Sequence, residues 1–217
     1  MSNAQLQSLR EHAKQRLDRK KTSKLNRQDK LKLYKRFLKT EEHRILLFHR
    51  SGGSALKVSK RRADLIKILL YNLYKDAIDS SKGIKPEVTL VAIGGFGRGR
   101  LNPCSDIDLL FLHPKGAKGL PKESSELIEN ILYMLYDCGF KVGHAVRSIK
   151  ETVSEANSDN RTKSSIIESK LLFGDEKLFN LMVNEFYDKC IKGHETNYLK
   201  HRLEDIRLRH IKWSQTP

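Results

Sequence analysis

At 217 residues with 38% hydrophobic content, the chain is long enough to bury one sizeable core, and is neither a staple-dependent mini-protein nor a disordered tail. No apolar run is long enough to span a bilayer and no h-region opens the sequence, so the reading is a cytoplasmic protein rather than a membrane or secreted one. The net charge of +16 is concentrated: from Arg10 to Lys39, thirteen Lys or Arg stand against three acids, a local balance of +10.

The first predicted elements lie in that basic stretch. Gln5 to Arg19 and Arg27 to Phe48 read as helices with a break over Lys20 to Asn26, the second carrying Leu31, Tyr34, Phe37, Leu38, Ile45 and Leu46 at three- and four-residue intervals. A segment this basic can bind nucleic acid or an acidic protein face. Its apolar residues fall at helical spacing and not as interleaved stacking platforms, which favours an accessory helical element with a solvated face over a nucleic-acid surface. Gly52-Gly53 ends the second helix. Lys57 to Asp79 is a third, with a core face of Leu65, Ile66, Leu69, Leu70, Leu73 and Tyr74, and Ser80 to Pro86 turns the chain toward the first strand.

Val88 to Ile93 is an apolar, β-branched run that predicts a buried strand, and it stops at Gly94-Gly95, with Gly97 and Gly99 close behind. Glycines there let backbone N–H groups approach an anion without a Cβ in the way. Their spacing matches neither G-x-G-x-x-G nor the Walker pattern. Ser105 then precedes Asp106-Ile107-Asp108, and Leu109 to Leu112 continues as a second buried strand. Strand side chains alternate, so the two aspartates share a face at the strand's mouth, with Cα atoms about 6–7 Å apart, and can converge on Mg²⁺ or Mn²⁺. Nucleotidyl transfer follows as the first hypothesis: Asp106 and Asp108 as catalytic metal ligands, Gly94 and Gly95 along a triphosphate, Ser105 donating to a phosphate oxygen, and Arg98 as a guanidinium fork on the leaving phosphates.

Beyond Leu112, a Pro- and Gly-bounded connection leads to a helix over Lys122 to Cys138, closed by Gly139. Phe140 to Arg147 alternates as a third strand, and helix signals resume at Ser148-Ile149. Thr162 to Phe173, Glu176 to Cys190 and Glu195 to Trp213 read as three more helices, separated by Gly174 and Gly193. The order predicts an α+β fold with a small mixed sheet, organised as a basic helical segment 1–56, a core 57–155 and a helical segment 156–217. Cys104, Cys138 and Cys190 lack C-x-x-C spacing and read as reduced thiols, Cys104 as a small packing residue.

The string strand, Gly-Gly, about ten residues, Asp-x-Asp resembles the DNA polymerase β-type nucleotidyltransferase superfamily. The longer GGFGRGRLNPCSDIDLL, with YDCGFKVGHAVRSIKE at 136–151 and IIESKLLFGDEKLF at 166–179, resembles the N-terminal catalytic domain of bacterial PII uridylyltransferases. The resemblance implies UTP as donor, a PII-type regulatory protein as acceptor, and attack of a tyrosine hydroxyl on the α-phosphorus; transfer of AMP or another nucleotide, or a silent nucleic-acid-binding relative, are the alternatives. It also implies downstream HD hydrolase and ACT sensing domains, and hence an N-terminal fragment. Two positions depart from the pattern. Arg100 stands where Glu is common in the uridylyltransferases, and the third strand lacks the further carboxylate that polymerase β-type enzymes usually place there, holding instead His144 in a Gly-His pattern that the uridylyltransferases share, which can be a base, a phosphate contact or a satisfied core histidine. Arg147 and Glu168 are further candidates for the site.

Overall fold

The computed structural model describes residues 3–18, 22, 25–80 and 87–214. The expected break over 20–26, the loop over 80–86 and the last residues of the chain lie largely outside that set. Helix α1 spans Asn3–Arg16 and α2 Arg27–Arg50. Asn26 caps α2 by accepting the Asp29 N–H at 2.9 Å, which satisfies one of the orphan donors at a helix start. Helix α1 is not loosely appended: Leu9, Ala13 and Leu17 are buried in the same apolar cluster as Tyr34, Phe37 and Leu38 of α2. Buried Glu41 ties the pair further, meeting His12 Nδ1 at 2.5 Å and accepting from Arg44 at 2.6 Å. The third helix, α3 at Ala55–Ser80, buries its predicted stripe against the sheet and holds α2 through Asp76, which accepts the Tyr34 hydroxyl at 2.8 Å.

Strand β1 (Thr89–Ala92), one helical turn α4 (Gly94–Gly97) and strand β2 (Ile107–Leu112) form the centre. After them come α5 (Lys122–Asp137), β3 (Val142–Arg147), α6 (Ile149–Ser158), α7 (Asn160–Ile167), β4 (Lys170–Phe173), α8 (Glu176–Phe186) and α9 (Glu195–Ser214). The sheet runs β3-β2-β1-β4, with β2 and β3 parallel and the other two pairs antiparallel, so it is mixed as the sequence predicted. Ile107, Leu109 and Phe111 face the cluster built with the first three helices and α5. Leu110 and Leu112 face a second cluster, under α6 to α8.

The expected helix Thr162 to Phe173 is corrected. Asp159 caps α7 by accepting from the Arg161 and Thr162 N–H groups at 3.1 and 2.8 Å, and the helix stops at Ile167. The run Leu171-Leu172-Phe173 is too short for periodicity to assign. The open edge of β1 decides it, with Leu90 opposite Phe173 and Ala92 opposite Lys170. Phe173 then packs on Tyr71 and Tyr74 of α3 at 5.5 and 5.6 Å between ring centroids. Gly174, at φ +116°, passes so near β1 that a Cβ would lie 2.6 Å from Thr89 Cα, and Thr89 Oγ1 accepts the Asp175 N–H at 2.9 Å. The last turn of the expected helix to Cys190 is π-helical over Tyr187–Ile191. Among the described residues, no helix is long and apolar enough to cross a membrane.

Candidate functional site

Strand β1 delivers the chain to Ile93, whose N–H donates to Asp108 O at 3.2 Å, so the glycine turn and the aspartate strand are joined at their mouths. The turn is a single helical one. Gly94 takes φ +58°, and a Cβ on it would sit 3.3 Å from Asp108 Oδ2. Gly97 has a different reason to be glycine: a Cβ there would meet the Glu168 carbonyl oxygen at 2.0 Å, so the end of α7 rests directly on the turn. Past Gly99, the Arg100 N–H returns to Gly95 O at 3.0 Å and the Leu101 N–H donates to Ser59 O of α3 at 3.0 Å. That second bond and the burial of Leu101 pin the loop to the start of α3.

Asp106 is exposed and Asp108 half-buried at the head of β2. Burial raises the Asp108 carboxyl above its ordinary range, and the neighbouring charge of Asp106 raises it further. On the strand beside it, Gly143 is opposite Asp108, and a Cβ at 143 would lie 2.6 Å from Asp108 Oδ1. A side chain at 143 would have to push the Asp108 carboxylate aside, so the glycine there leaves that carboxylate in place, and β3 contributes no third carboxylate beside it. Both aspartates open into one cavity of about 630 Å³ that Gly95, Arg98 and Ser105 also line. The Ser105 hydroxyl donates to Asn102 O at 2.8 Å, closing its own turn.

Two hard carboxylates whose proximity disfavours their joint ionisation suit a divalent cation. Among the described residues, no group of three or more His, Cys, Asp or Glu is placed to hold a metal. Mg²⁺ commonly binds through one or two carboxylates and completes its shell with water and phosphate oxygens.

Two sequence candidates, His144 and Arg147, are placed elsewhere. His144 is in register with Leu109 and edge-on to Phe111 at 6.5 Å between centroids, so it points to the opposite face of the sheet from Asp108, and it is exposed rather than a core residue. Arg147 shares the Asp108 face but lies four residues beyond Gly143, about 13 Å along the strand, where it approaches Glu155 at 3.7 Å. Arg98 is paired with Glu168. Sequence reasoning missed the wall that Ala55, Leu56 and Ser59 contribute from the start of α3. No local signal marks these residues, because they reach the site only through packing.

The family model described as a nucleotidyltransferase domain matches residues 75–173. The chain is 35% identical over 164 residues to the bifunctional uridylyltransferase/uridylyl-removing enzyme of Rhodospirillum rubrum, covering 75% of this chain and 17% of that protein. To the enzyme of the same name in Rhodopseudomonas palustris it is 34% identical over 183 residues, 82% of this chain and 19% of the relative. This chain therefore spans less than a fifth of the length of these curated relatives. A solved toxin–antitoxin structure, MntA-HpeT, is similar at TM-score 0.39 and 12% identity, over 65% of this chain and 98% of that one.

Proposed function

We propose, on the premise that this chain belongs to the nucleotidyltransferase family and has its polymerase β-type α+β fold, that it transfers UMP from UTP to a tyrosine hydroxyl of a PII-type nitrogen-regulatory protein. The observation that carries the reading is the convergence of Asp106 and Asp108 on one cavity beside the glycine turn. In the proposed reaction the tyrosine oxygen bonds to the α-phosphorus, the bond to the β-phosphate bridging oxygen breaks, pyrophosphate leaves, and the hydroxyl proton passes to solvent. Asp106 and Asp108 would hold Mg²⁺ or Mn²⁺, which when bound offsets charge on the phosphate oxygens. The glycine turn brings backbone close to the triphosphate, Arg98 offers its fork to the leaving phosphates, and Ser105 sits at the rim. A cytoplasmic location goes with such an acceptor.

The test incubates the chain with Mg²⁺, a PII protein and each of four α-labelled nucleoside triphosphates. Label should pass to PII from UTP, and Asp106→Ala with Asp108→Ala should lower transfer by about 10²-fold or more. Label from ATP in place of UTP would change the donor but keep the site. Transfer undiminished in the double variant would overturn the assignment.

A further inference from the structure

We propose that Glu168 is a positioning residue for nucleotide binding: it grips one end of the Arg98 guanidinium and so presents the other end to the phosphate side of the glycine turn. The role rests on the transferase reading above and deepens it. The Arg98 Nη1 is ion-paired with Glu168 Oε2. Its other terminal nitrogen, Nη2, lies 3.7 Å from where a Cβ on Gly95 would sit, on the wall of the cavity that holds Asp106 and Asp108. The guanidinium is planar and carries five donors, so one end can stay on a carboxylate while the remaining N–H groups meet a phosphate oxygen. A lysine ammonium has no such second end.

The grip is built into the fold. Glu168 caps the end of α7, immediately before β4. Its carbonyl packs on Gly97, where no side chain fits, and Lys170 two residues on is paired with Ala92 at the end of β1. The backbone that carries the carboxylate is thereby fixed beside the turn. With side-chain exposures of 51% for Arg98 and 29% for Glu168, the pair is partly shielded but open to a ligand. Left without this partner, an arginine at the rim of an open cavity would sample many rotamers, and triphosphate binding would have to order it.

Calorimetric titration of the whole chain with Mg·UTP and, separately, Mg·ATP tests the role. Glu168→Ala should weaken both nucleotides by the same factor, about three- to tenfold, because the contact is to phosphate and not to base. Glu168→Gln, which retains an acceptor, should recover part of the loss. In an Arg98→Ala background, Glu168→Ala should add nothing, and melting curves of all variants should stay close to the unaltered chain. KM for the nucleotide should rise more than kcat falls. Equal, additive losses in the double variant would make Glu168 merely structural and overturn the proposal, as would unchanged binding by Glu168→Ala. If the unaltered chain binds neither nucleotide, the transferase reading fails first and this role falls with it.

Discussion

Asp108 sits where a carboxylate is least comfortable without a cation. Burial and then the Asp106 charge raise its carboxyl. A group whose folded pKa lies above its unfolded value, about 3.9 for Asp, contributes stability that is fully present below the unfolded pKa and lost as pH rises through the folded one. Once the pH lies above the folded pKa that contribution is gone and the ionised pair repels. Asp108→Asn should therefore melt higher than the unaltered chain in EDTA, and Mg²⁺ should raise the midpoint of the unaltered chain but not of the variant; a lower midpoint for the variant in EDTA would contradict this account. Two glycines give a second contrast at the same scale. Gly97→Ala drives a Cβ into the Glu168 backbone and should cost about 1–3 kcal/mol in urea denaturation. Gly143→Ala meets only the Asp108 carboxylate, which can swing away. It should unfold near the same urea concentration yet lose its response to Mg²⁺.

Among the elements, α1 shows how a basic, polar-looking segment can still belong to the core. Its charged residues face outward, while Leu9, Ala13 and Leu17 complete the cluster around Tyr34 and Phe37. Full burial of a leucine is worth about 1.5–3 kcal/mol, and losing His12 leaves Glu41 with one fewer partner. Removing residues 1–26 should lower unfolding stability by about 3 kcal/mol or more. It should leave Mg·UTP binding in place at a temperature where the shortened chain is folded, because the site is built from the start of α3, 93–108 and the end of α7. Loss of UTP binding by a demonstrably folded, shortened chain would mean that α1 reaches the site.

Over the whole molecule, several basic side chains of α2 are already engaged with acids: Arg27 with Asp137 at 2.8 Å, Lys30 with Asp76 at 3.5 Å and Arg44 with Glu41 at 2.6 Å. This agrees with a partly paired, solvated helical face. Among the described residues, no group of three or more His, Cys, Asp or Glu is placed to hold a second metal. His43 and His49 are six residues apart on α2, and His194, His201 and His210 are seven and nine apart, none at the three- or four-residue spacing that puts two ligands on one helical face. Uridylylated PII incubated with this chain and Mn²⁺ should consequently keep its label at any glutamine concentration. Release of UMP by protein free of hydrolase contamination would show a second activity.

The strand–turn–strand at 88–112 and its carboxylate pair were legible from the sequence because they are local. Buried β-branched runs, glycine spacing and period-two alternation all act within a few residues, and so place Asp106 and Asp108 together at one strand mouth. The helices with strong apolar stripes were legible for the same reason, with ends off by a few residues. The face His144 takes was not, since it depends on how β3 aligns with β2, and a one-residue shift exchanges every side chain between faces; pairing Val142 with Ile107 puts Gly143 beside Asp108 and turns His144 away. Nor was β4, a short apolar run made a strand by the vacant edge of β1. The contact of Arg98 with Glu168 spans 70 residues of sequence, and only packing the end of α7 on Gly97 brings the two together.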